Sequence, residues 1–211
     1  MNADETASRL NEHLVGAGQA PLDAEVAKLL EDYVSLFVRW NERLNLSAIR
    51  GKEEIISRHL IESIIVARSL PSGITTLLDF GSGGGLPGVP IALCRPEIAV
   101  TLAESQGKKA AFLQEAVRVL GLSARVHAGR AETLRVLFDC VILRAVDRMP
   151  KAVASAAQLV SSHGWIALMT TSEDLPQLQT AVGRAFSFRV QISLPDSTQR
   201  ILALGQRGAG S

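Results

Sequence analysis

The densest group of residues that could do chemistry is the run at positions 77–90, Leu-Leu-Asp-Phe-Gly-Ser-Gly-Gly-Gly-Leu-Pro-Gly-Val-Pro. An apolar strand there leads into a carboxylate, Asp79, and then into a loop in which four of five consecutive residues are glycine. Glycine permits positive φ and lets a ligand approach the backbone closely. Because loops at strand ends hold the ligands of open α/β sheets, this pattern predicts a small-molecule site.

Two classes of ligand compete for this loop. The dinucleotide pattern G-x-G-x-x-G is satisfied by Gly83, Gly85 and Gly88. Glu104 then follows at the separation expected of a ribose-binding acid. A pyrophosphate would be repelled by Asp79, however, and Pro87 and Pro90 remove amide donors where a phosphate needs them. The residues therefore favour S-adenosylmethionine, which carries a sulfonium and an ammonium group, over NAD.

Apolar periodicity predicts the elements that hold the loop in place. Spacing of three and four residues over 22–44 predicts a long amphipathic helix, and the stretch 53–70 predicts a helix buried on more than one side. Short apolar runs predict strands at 76–80, 99–103, 124–128, 138–143, 165–169, 188–194 and 200–204. Helical segments are predicted between them at 89–94, 108–120, 150–160 and 175–186.

This alternation predicts an α/β fold with a mostly parallel seven-stranded sheet. The last two strands are joined by only a short connection, so they must pair as an antiparallel hairpin. One reversed strand in a parallel sheet is the architecture of Rossmann-like class I methyltransferases. The expected organisation is a helical N-terminal extension over 1–70, an S-adenosylmethionine-binding domain over 71–206 and a flexible tail over 207–211.

Composition limits the class of protein. The chain has 211 residues, 47% of them apolar, which suits one packed core. A net charge of +1 and 4% aromatic residues disfavour a general nucleic-acid or single-strand binder. Cys94 and Cys140 lie in apolar stretches and are expected to be reduced in a cytoplasmic protein. We expect no membrane span and no metal site.

Several motifs together resemble one family, the 16S ribosomal RNA guanine-N7 methyltransferases RsmG, also called GidB. The resemblance covers about residues 25–170 in order. In the expected methyltransferase domain it is carried by Asp79–Pro90, Leu102–Ser105, Lys108-Lys109, Phe112-Leu113, Arg130–Glu132, Phe138-Asp139 and Leu143–Ala145. In the helical extension it is carried by Trp40–Ile49 and Arg58–Ser63.

The resemblance implies roles for individual residues of this chain. Gly81 and Leu86 would contact S-adenosylmethionine, and Ala131 with Glu132 would lie along its adenine. Glu104 would accept hydrogen bonds from the ribose hydroxyls. A guanidinium at the end of an apolar strand is costly without a partner, so a site role is also expected for Arg144. The expected cofactor residues are Asp79, Gly81, Gly83, Gly85, Leu86, Glu104, Ala131, Glu132 and Arg144.

The atom that is methylated is inferred from motifs that the chain lacks as well as from residues that it has. The chain has no Asn/Asp-Pro-Pro-aromatic tetrad after the fourth strand, and Cys140 lies inside that strand, which disfavours methylation of exocyclic amines and of pyrimidine C5. Guanine N7 carries a free lone pair and no proton, so its methylation needs alignment more than a base. We therefore assign no catalytic residue, and we expect structural roles for His59 and His127.

The expected partner is 16S rRNA or a small ribosomal subunit particle, bound by a monomer. Residues 104–151 hold nine basic and five acidic residues, whereas residues 1–32 hold two and seven. The resemblance includes one departure, because Met169 stands where the family usually has a lysine; Arg148 or Lys151 could replace that contact, or the contact is weaker or the target nucleotide different. The residues expected to contact RNA are Arg58, Lys108, Lys109, Arg148 and Lys151.

Two other functions stay open at this point. One is an NAD-dependent oxidoreductase, which the glycine pattern allows. The other is a non-catalytic, methyltransferase-like module in ribosome assembly, which Met169 keeps open. Binding of S-adenosylhomocysteine without NAD would exclude the first, and methyl transfer to a ribosomal particle would exclude the second.

Overall fold

One seven-stranded sheet organises the computed structural model, which describes residues 3–44, 46, 51–195 and 197–208. Its strands are β1 (Thr76–Phe80), β2 (Ala99–Glu104), β3 (Arg125–Ala128), β4 (Phe138–Arg144), β5 (Val160–Thr171), β6 (Phe186–Ser193) and β7 (Arg200–Arg207). The strand order is β3-β2-β1-β4-β5-β7-β6. Only β7 runs antiparallel to its neighbours β5 and β6, which confirms the predicted α/β class and the terminal hairpin.

Helices cover both faces of this sheet. The α-helices are α1 (Ala3–Gly16), α2 (Ala24–Leu44), α3 (Lys52–Glu54), α4 (Ile61–Ser69), α5 (Gly88–Cys94), α6 (Gly107–Val119), α7 (Met149–Ala157) and α8 (Leu175–Val182). Between α3 and α4 the chain forms a π-helix over Ile55–Leu60. No described helix is long and apolar enough to cross a membrane.

Most predicted elements are confirmed, with differences at their ends. The predicted helix 150–160 ends at Ala157, because Val160 pairs with Phe138 and begins β5. That strand therefore starts five residues before its predicted start. The predicted helix 175–186 ends at Val182, since Gly183 has φ of +90° and reverses the chain. The helix α1 was not predicted; its Leu10 and Leu14 are buried in the core.

Alternation along the strands creates two cores. On one face, Leu77, Cys140 and Leu202 pack against the N-terminal helices, α5 and α6. On the other face, Leu78, Val141 and Ala203 pack against α7 and α8. Successive side chains of a strand point to opposite faces, so even-numbered residues of β4 and β7 face the N-terminal helices. This parity decides where Arg144 and Arg200 point.

The N-terminal helices therefore form part of the main core. Every residue from Ile61 to Ala67 in α4 is buried, as the all-round apolar pattern predicted. The helix α2 places Tyr33, Phe37 and Trp40 around Phe112 of α6, with ring centroids within 6.5 Å. Part of the motif Trp40–Ile49 lies outside the described residues, at positions 45 and 47–49.

Candidate functional site

A cavity of about 650 Å³ lies at the carboxyl ends of β1, β2 and β4. This is where parallel α/β sheets bind ligands, because the loops that follow adjacent strands meet there. Its lining includes seven of the predicted cofactor residues, namely Gly81, Gly83, Leu86, Glu104, Ala131, Glu132 and Arg144. The other two, Asp79 in β1 and Gly85 in the loop, are buried and do not line the cavity.

Backbone amides of the glycine loop are hydrogen-bonded within the protein. The N–H groups of Gly81 and Ser82 donate to the carbonyl oxygen of Ala103 at 3.0 and 2.9 Å. The N–H of Gly85 donates to the carbonyl of Ser82 at 2.7 Å. A pyrophosphate site needs free amides at the following helix start. Here the first amide of α5, that of Gly88, is already bound to Asp79, so the geometry does not favour a dinucleotide.

Two different constraints explain the glycines of this loop. Gly83 has φ of +55°, and an added Cβ would meet only the Gly81 carbonyl oxygen, at 3.9 Å, so its role is conformational. At Gly84 the constraint is packing, since an added Cβ would meet the Phe37 ring at 2.5 Å. At Gly88 an added Cβ would overlap Leu102 and the Asp79 carboxylate. Close packing beneath the loop therefore requires glycine at positions 84 and 88, and backbone conformation favours it at position 83.

Asp79 supports the loop from below. Its side chain is 1% exposed, and Oδ2 accepts the Gly88 N–H at 3.1 Å. Burial raises the pKa of this carboxyl to about 7, although the hydrogen bonds of Ser82 and Gly88 oppose the shift. Above that pH, Asp79 places a negative charge under the loop without contacting the cavity. Its effect on a cationic ligand is therefore electrostatic and not a direct contact.

Glu104 connects the ends of β1 and β2. Its carboxylate is 6% exposed and lines the cavity. Oε2 accepts the Gly83 N–H at 2.9 Å, and Oε1 accepts the Gln106 N–H at 2.7 Å. Each carboxylate oxygen can accept a second hydrogen bond. Glu104 is thus fixed in place while keeping the capacity to accept from a diol.

The residues that follow β3 form another part of the cavity wall. Ala131 and Glu132 belong to a short 3₁₀ turn, Ala131–Thr133, and both line the cavity. His127 holds this turn, because its Nε2 lies 3.0 Å from Thr133 Oγ1 and 3.2 Å from the Arg130 carbonyl. The contacts of His127 therefore agree with the predicted structural role.

Arg144 forms an ion pair with Glu62, a residue to which the sequence analysis assigned no role. As an even-numbered residue of β4 it faces the N-terminal helices, where its Nη2 donates to Glu62 Oε2 at 2.8 Å. Arg200 of β7 lies on the same face, and its Nε donates to Glu62 Oε1 at 2.6 Å. Glu62 is 2% exposed, so two arginines compensate one buried carboxylate.

His59 completes this group, which we call the Glu62 cluster: His59, Glu62, Arg144 and Arg200. Arg144 Nη2 also contacts His59 Nδ1. Since a guanidinium can only donate, Nδ1 must accept, and the ring proton lies on Nε2. Burial and the charge of Arg144 lower the pKa of His59 to about 4, so the ring is neutral. The π-helix carries His59, and such segments are frequent at functional sites.

A second cavity, of about 370 Å³, adjoins the first. The two share three lining residues, His59, Arg144 and Ala145. Apolar side chains of Met149, Met169 and Leu194 contribute to its lining, together with Arg58, Thr170, Asp174 and Arg200. Ala145 has φ of +46°, an uncommon backbone conformation for a residue with a Cβ. The chain thus turns sharply at the boundary between the two cavities.

The predicted RNA contacts divide between the cavities. Lys109, Arg148 and Lys151 line the first, and Arg58 lines the second. Lys108 is exposed and lines neither. Met169, at the position of the expected lysine, is 6% exposed. It lines the second cavity, as do Arg58 and Arg200, whereas Arg148 and Lys151 line the first.

The two cysteines are free thiols. Burial raises the pKa of Cys140 to about 12 and that of Cys94 to about 11, so neither is a nucleophile at neutral pH. Within the described part of the chain, no group of three or more His, Cys, Asp or Glu side chains could hold a metal ion.

The sheet order, the single reversed strand and the cavity beside the glycine loop define a class I methyltransferase. A solved structure of a predicted O-methyltransferase from Agrobacterium tumefaciens has the same fold, with a TM-score of 0.58 and 19% identity over 70% of this chain and 81% of that chain. Residues 26–197 match the sequence model of the family described as rRNA small subunit methyltransferase G, GidB. The chain belongs to this family.

Relatives of the same name agree with this assignment. Ribosomal RNA small subunit methyltransferase G of Xanthomonas campestris pv. campestris (strain B100) is 42% identical over 151 residues, which cover 70% of each chain. The protein of that name from Neisseria meningitidis serogroup B (strain MC58) is 35% identical over 200 residues, 90% of this chain and 96% of that one. The resemblance found in the sequence motifs is confirmed.

Proposed function

We propose that the protein transfers a methyl group from S-adenosylmethionine to N7 of a guanine in 16S rRNA of the small ribosomal subunit. The observation that carries the proposal is the match to the family over residues 26–197. The matched region includes the glycine loop, which lines the first cavity, Glu62, which lines the second, and Arg144 at the end of β4, which lines both. One cavity suits the methyl donor and the adjoining one suits the base that receives the methyl group.

The first cavity fits S-adenosylmethionine. When bound, this molecule supplies a methyl group on a sulfonium. Gly81 and Leu86 provide contact surface, Glu104 accepts from the ribose hydroxyls, and Ala131 with Glu132 lies along the adenine. Above about pH 7, the ionised Asp79 adds a negative charge beneath the loop, which favours a cationic ligand over a pyrophosphate.

The substrate is held by cations around both cavity mouths. Lys109, Arg148 and Lys151 border the first cavity and Arg58 borders the second, positions from which they can contact phosphates. The positive charge is local and the net charge is only +1, so we propose a folded ribosomal particle, not short naked RNA, as the substrate. We further propose a monomer that acts in the cytoplasm, with residues 1–70 helping to dock the RNA.

A comparison of cells tests the proposal. Nucleosides of 16S rRNA from cells with and without the gene are separated and identified by mass spectrometry. We expect one N7-methylguanosine to disappear from the deletion strain and to return when the gene is restored. An unchanged nucleoside profile would refute the proposed function.

Ligand binding separates this function from an oxidoreductase. The purified protein is titrated with S-adenosylhomocysteine and, separately, with NAD. Since the Gly88 amide is bound to Asp79, we expect binding of S-adenosylhomocysteine and none of NAD. Binding of NAD alone would contradict the assignment of the first cavity.

A further inference from the structure

The histidine of the Glu62 cluster offers a hydrogen-bond donor to the cavities. Nδ1 of His59 accepts from Nη2 of Arg144, so the ring proton lies on Nε2. Within the described part of the chain, Nε2 has no hydrogen-bond partner and, unlike Nη1 of Arg144, it is not sealed from solvent. His59 is half-buried and lines both cavities. A donor with a fixed proton is therefore accessible at their boundary.

We infer that His59 selects guanine in the second cavity, with its Nε2–H donating a hydrogen bond to guanine O6. This inference rests on the proposed function, which assigns the base to that cavity. In guanine, O6 lies next to N7 on the same edge of the ring. A donor to O6 at the boundary of the cavities thus keeps N7 beside the methyl donor. Adenine carries an amino group in the place of O6, which would set a donor against the donor of His59.

Arg144 is a positioning residue for this contact. Because a guanidinium can only donate, its hydrogen bond to Nδ1 excludes the other tautomer, in which Nε2 would be an acceptor. Glu62 fixes the guanidinium in turn, since its Oε2 accepts from Nη2 of Arg144 at 2.8 Å. The Glu62 cluster therefore directs a donor, and not an acceptor, at the boundary of the cavities.

The position of His59 distinguishes it from other donors of the second cavity. The methyl group comes from the first cavity, so the atom next to N7 must lie where the two cavities meet. Arg58, Thr170 and Arg200 line the second cavity, whereas His59 lines the first as well. Arg144 also lies at the boundary, but its Nη1 is buried and its Nη2 is bound to Glu62 and His59.

A neutral donor suits the charge that develops in the reaction. The N7 lone pair forms a bond to the methyl carbon as the carbon–sulfur bond breaks, and that bonding pair stays on sulfur. No proton leaves, and the positive charge of the sulfonium passes to the purine ring. A cation on O6 would oppose this charge. Burial and the charge of Arg144 lower the pKa of His59 to about 4, so the ring is neutral at pH 7.

Purine analogues at the target position test the inference. Small subunit particles are assembled with guanosine, inosine or 2-aminopurine riboside at the nucleotide that the wild-type protein methylates. Inosine keeps O6 and lacks the 2-amino group, whereas 2-aminopurine lacks O6. We expect the wild type to use guanosine and inosine about tenfold better than 2-aminopurine, measured as kcat/KM.

The decisive variant is His59→Asn, with His163→Asn as its matched control. The asparagine oxygen at position 59 can still accept from Arg144, but the side chain is too short to reach O6. We expect the preference for guanosine over 2-aminopurine to fall to within about threefold of one. His163 is exposed, lines neither cavity and has φ of +61°, which asparagine tolerates, so His163→Asn should keep the wild-type preference.

A ratio of substrates separates base selection from a structural role. His59 also lines the first cavity, so its loss can change cofactor affinity, but such a change alters both rates alike and cancels in the ratio. His59→Gln is the second variant, because its amide nitrogen reaches about as far as Nε2. We expect this variant to keep a preference for guanosine of at least about threefold.

The outcomes distinguish the inference from the proposed function. A wild type that uses 2-aminopurine as well as guanosine overturns the inference, whether or not either variant folds. So does a full preference in His59→Asn, or a preference lost as completely in His59→Gln as in His59→Asn. In each of these cases the proposed function stands. A wild-type protein that methylates no guanosine in the particle would instead overturn the proposed function.

Discussion

The two cavities of this protein differ in how their polar groups are satisfied. In the wall made by the glycine loop, the amides of Gly81, Ser82 and Gly88 all have acceptors within the protein. In the wall made by the Glu62 cluster, one carboxylate balances two guanidinium groups, and Arg144 Nη1 has no acceptor in the described structure. The first wall thus satisfies these amides within the protein, whereas the second retains a buried donor without an acceptor among the described residues.

This difference indicates which kinds of change each wall tolerates. The packing of the loop is sensitive to side-chain volume, because Gly84 and Gly88 have no room for a side chain. The Glu62 cluster depends on charge balance, because its carboxylate is 2% exposed. Loss of one charge should therefore lower the free energy of unfolding more than loss of one hydrogen bond does. The variants below compare the two walls by this quantity.

The largest effect is expected from Glu62→Gln. It leaves Arg144 and Arg200 together without a counter-ion in a buried place. Removing one partner of a buried ion pair costs about 3–5 kcal/mol, and the 27% exposure of Arg200 favours the lower end, about 3 kcal/mol of unfolding free energy. Chemical denaturation of the variant and the wild type measures this difference in unfolding free energy.

Glu53→Gln is the matched control for that variant. Glu53 also contacts two cationic or ionisable groups, Arg9 and His13, but all three are exposed. Its loss should cost less than about 1 kcal/mol. If both variants lost the same stability, the charge balance of the Glu62 cluster would not be important for folding.

Gly88→Ala tests the packing of the loop. The new Cβ would overlap Leu102 and the Asp79 carboxylate. We expect a loss of about 1–3 kcal/mol in unfolding free energy and weaker binding of S-adenosylhomocysteine. Gly107→Ala, where nothing lies within 4 Å of the added atom, is the control and should be near neutral. Equal stability of the two variants would contradict the packing argument.

Tyr33→Phe removes one hydrogen bond that anchors the loop to α2. The Tyr33 hydroxyl donates to the Gly84 carbonyl, and burial keeps the pKa of this phenol well above its usual value. We expect the free energy of unfolding to fall by about 1 kcal/mol. S-adenosylhomocysteine affinity should fall with it, because the loop loses a support from the N-terminal helices. Titration calorimetry would measure the affinity, and an unchanged value would show that the loop holds its shape alone.

Asp79→Asn should change the slope of stability with pH. The folded-state pKa of Asp79, about 7, lies above its ordinary value of 3.8. The folded protein therefore keeps a proton that the unfolded chain has lost, so unfolding free energy falls as pH rises from about 4 to about 7. The variant should lack this contribution, and its stability relative to wild type should rise across the same range. Parallel pH profiles would contradict the shift.

The glycine loop was predictable because its residues are contiguous. Asp79 lies near the end of one strand, the glycines follow that strand directly, and Glu104 ends the next, so strand pairing alone brings them together. The roles of Gly84 and Gly88 were not predictable, because they depend on Phe37 and Leu102 from distant segments. The sequence predicted the location of the site but not what packs beneath it.

The Glu62 cluster was only partly predictable. Arg144, inside an apolar strand, indicated that a buried partner must exist, but not which one. Glu62 inside an otherwise apolar helix, and Arg200 on the same strand face as Leu202, were signals that could have been combined. The π-helix over Ile55–Leu60 has no comparable signal in the sequence, and it changes the helical register between Glu54 and Glu62.

One measurement tests the central claim most directly. The purified protein is incubated with small ribosomal subunits from cells lacking the gene and with S-adenosylmethionine labelled in its methyl group, and the labelled nucleoside is identified. Two joined cavities, one for the methyl donor and one for a guanine, predict label in N7-methylguanosine at a single position of 16S rRNA. Label in any other nucleoside, or no transfer to these particles, would contradict the account.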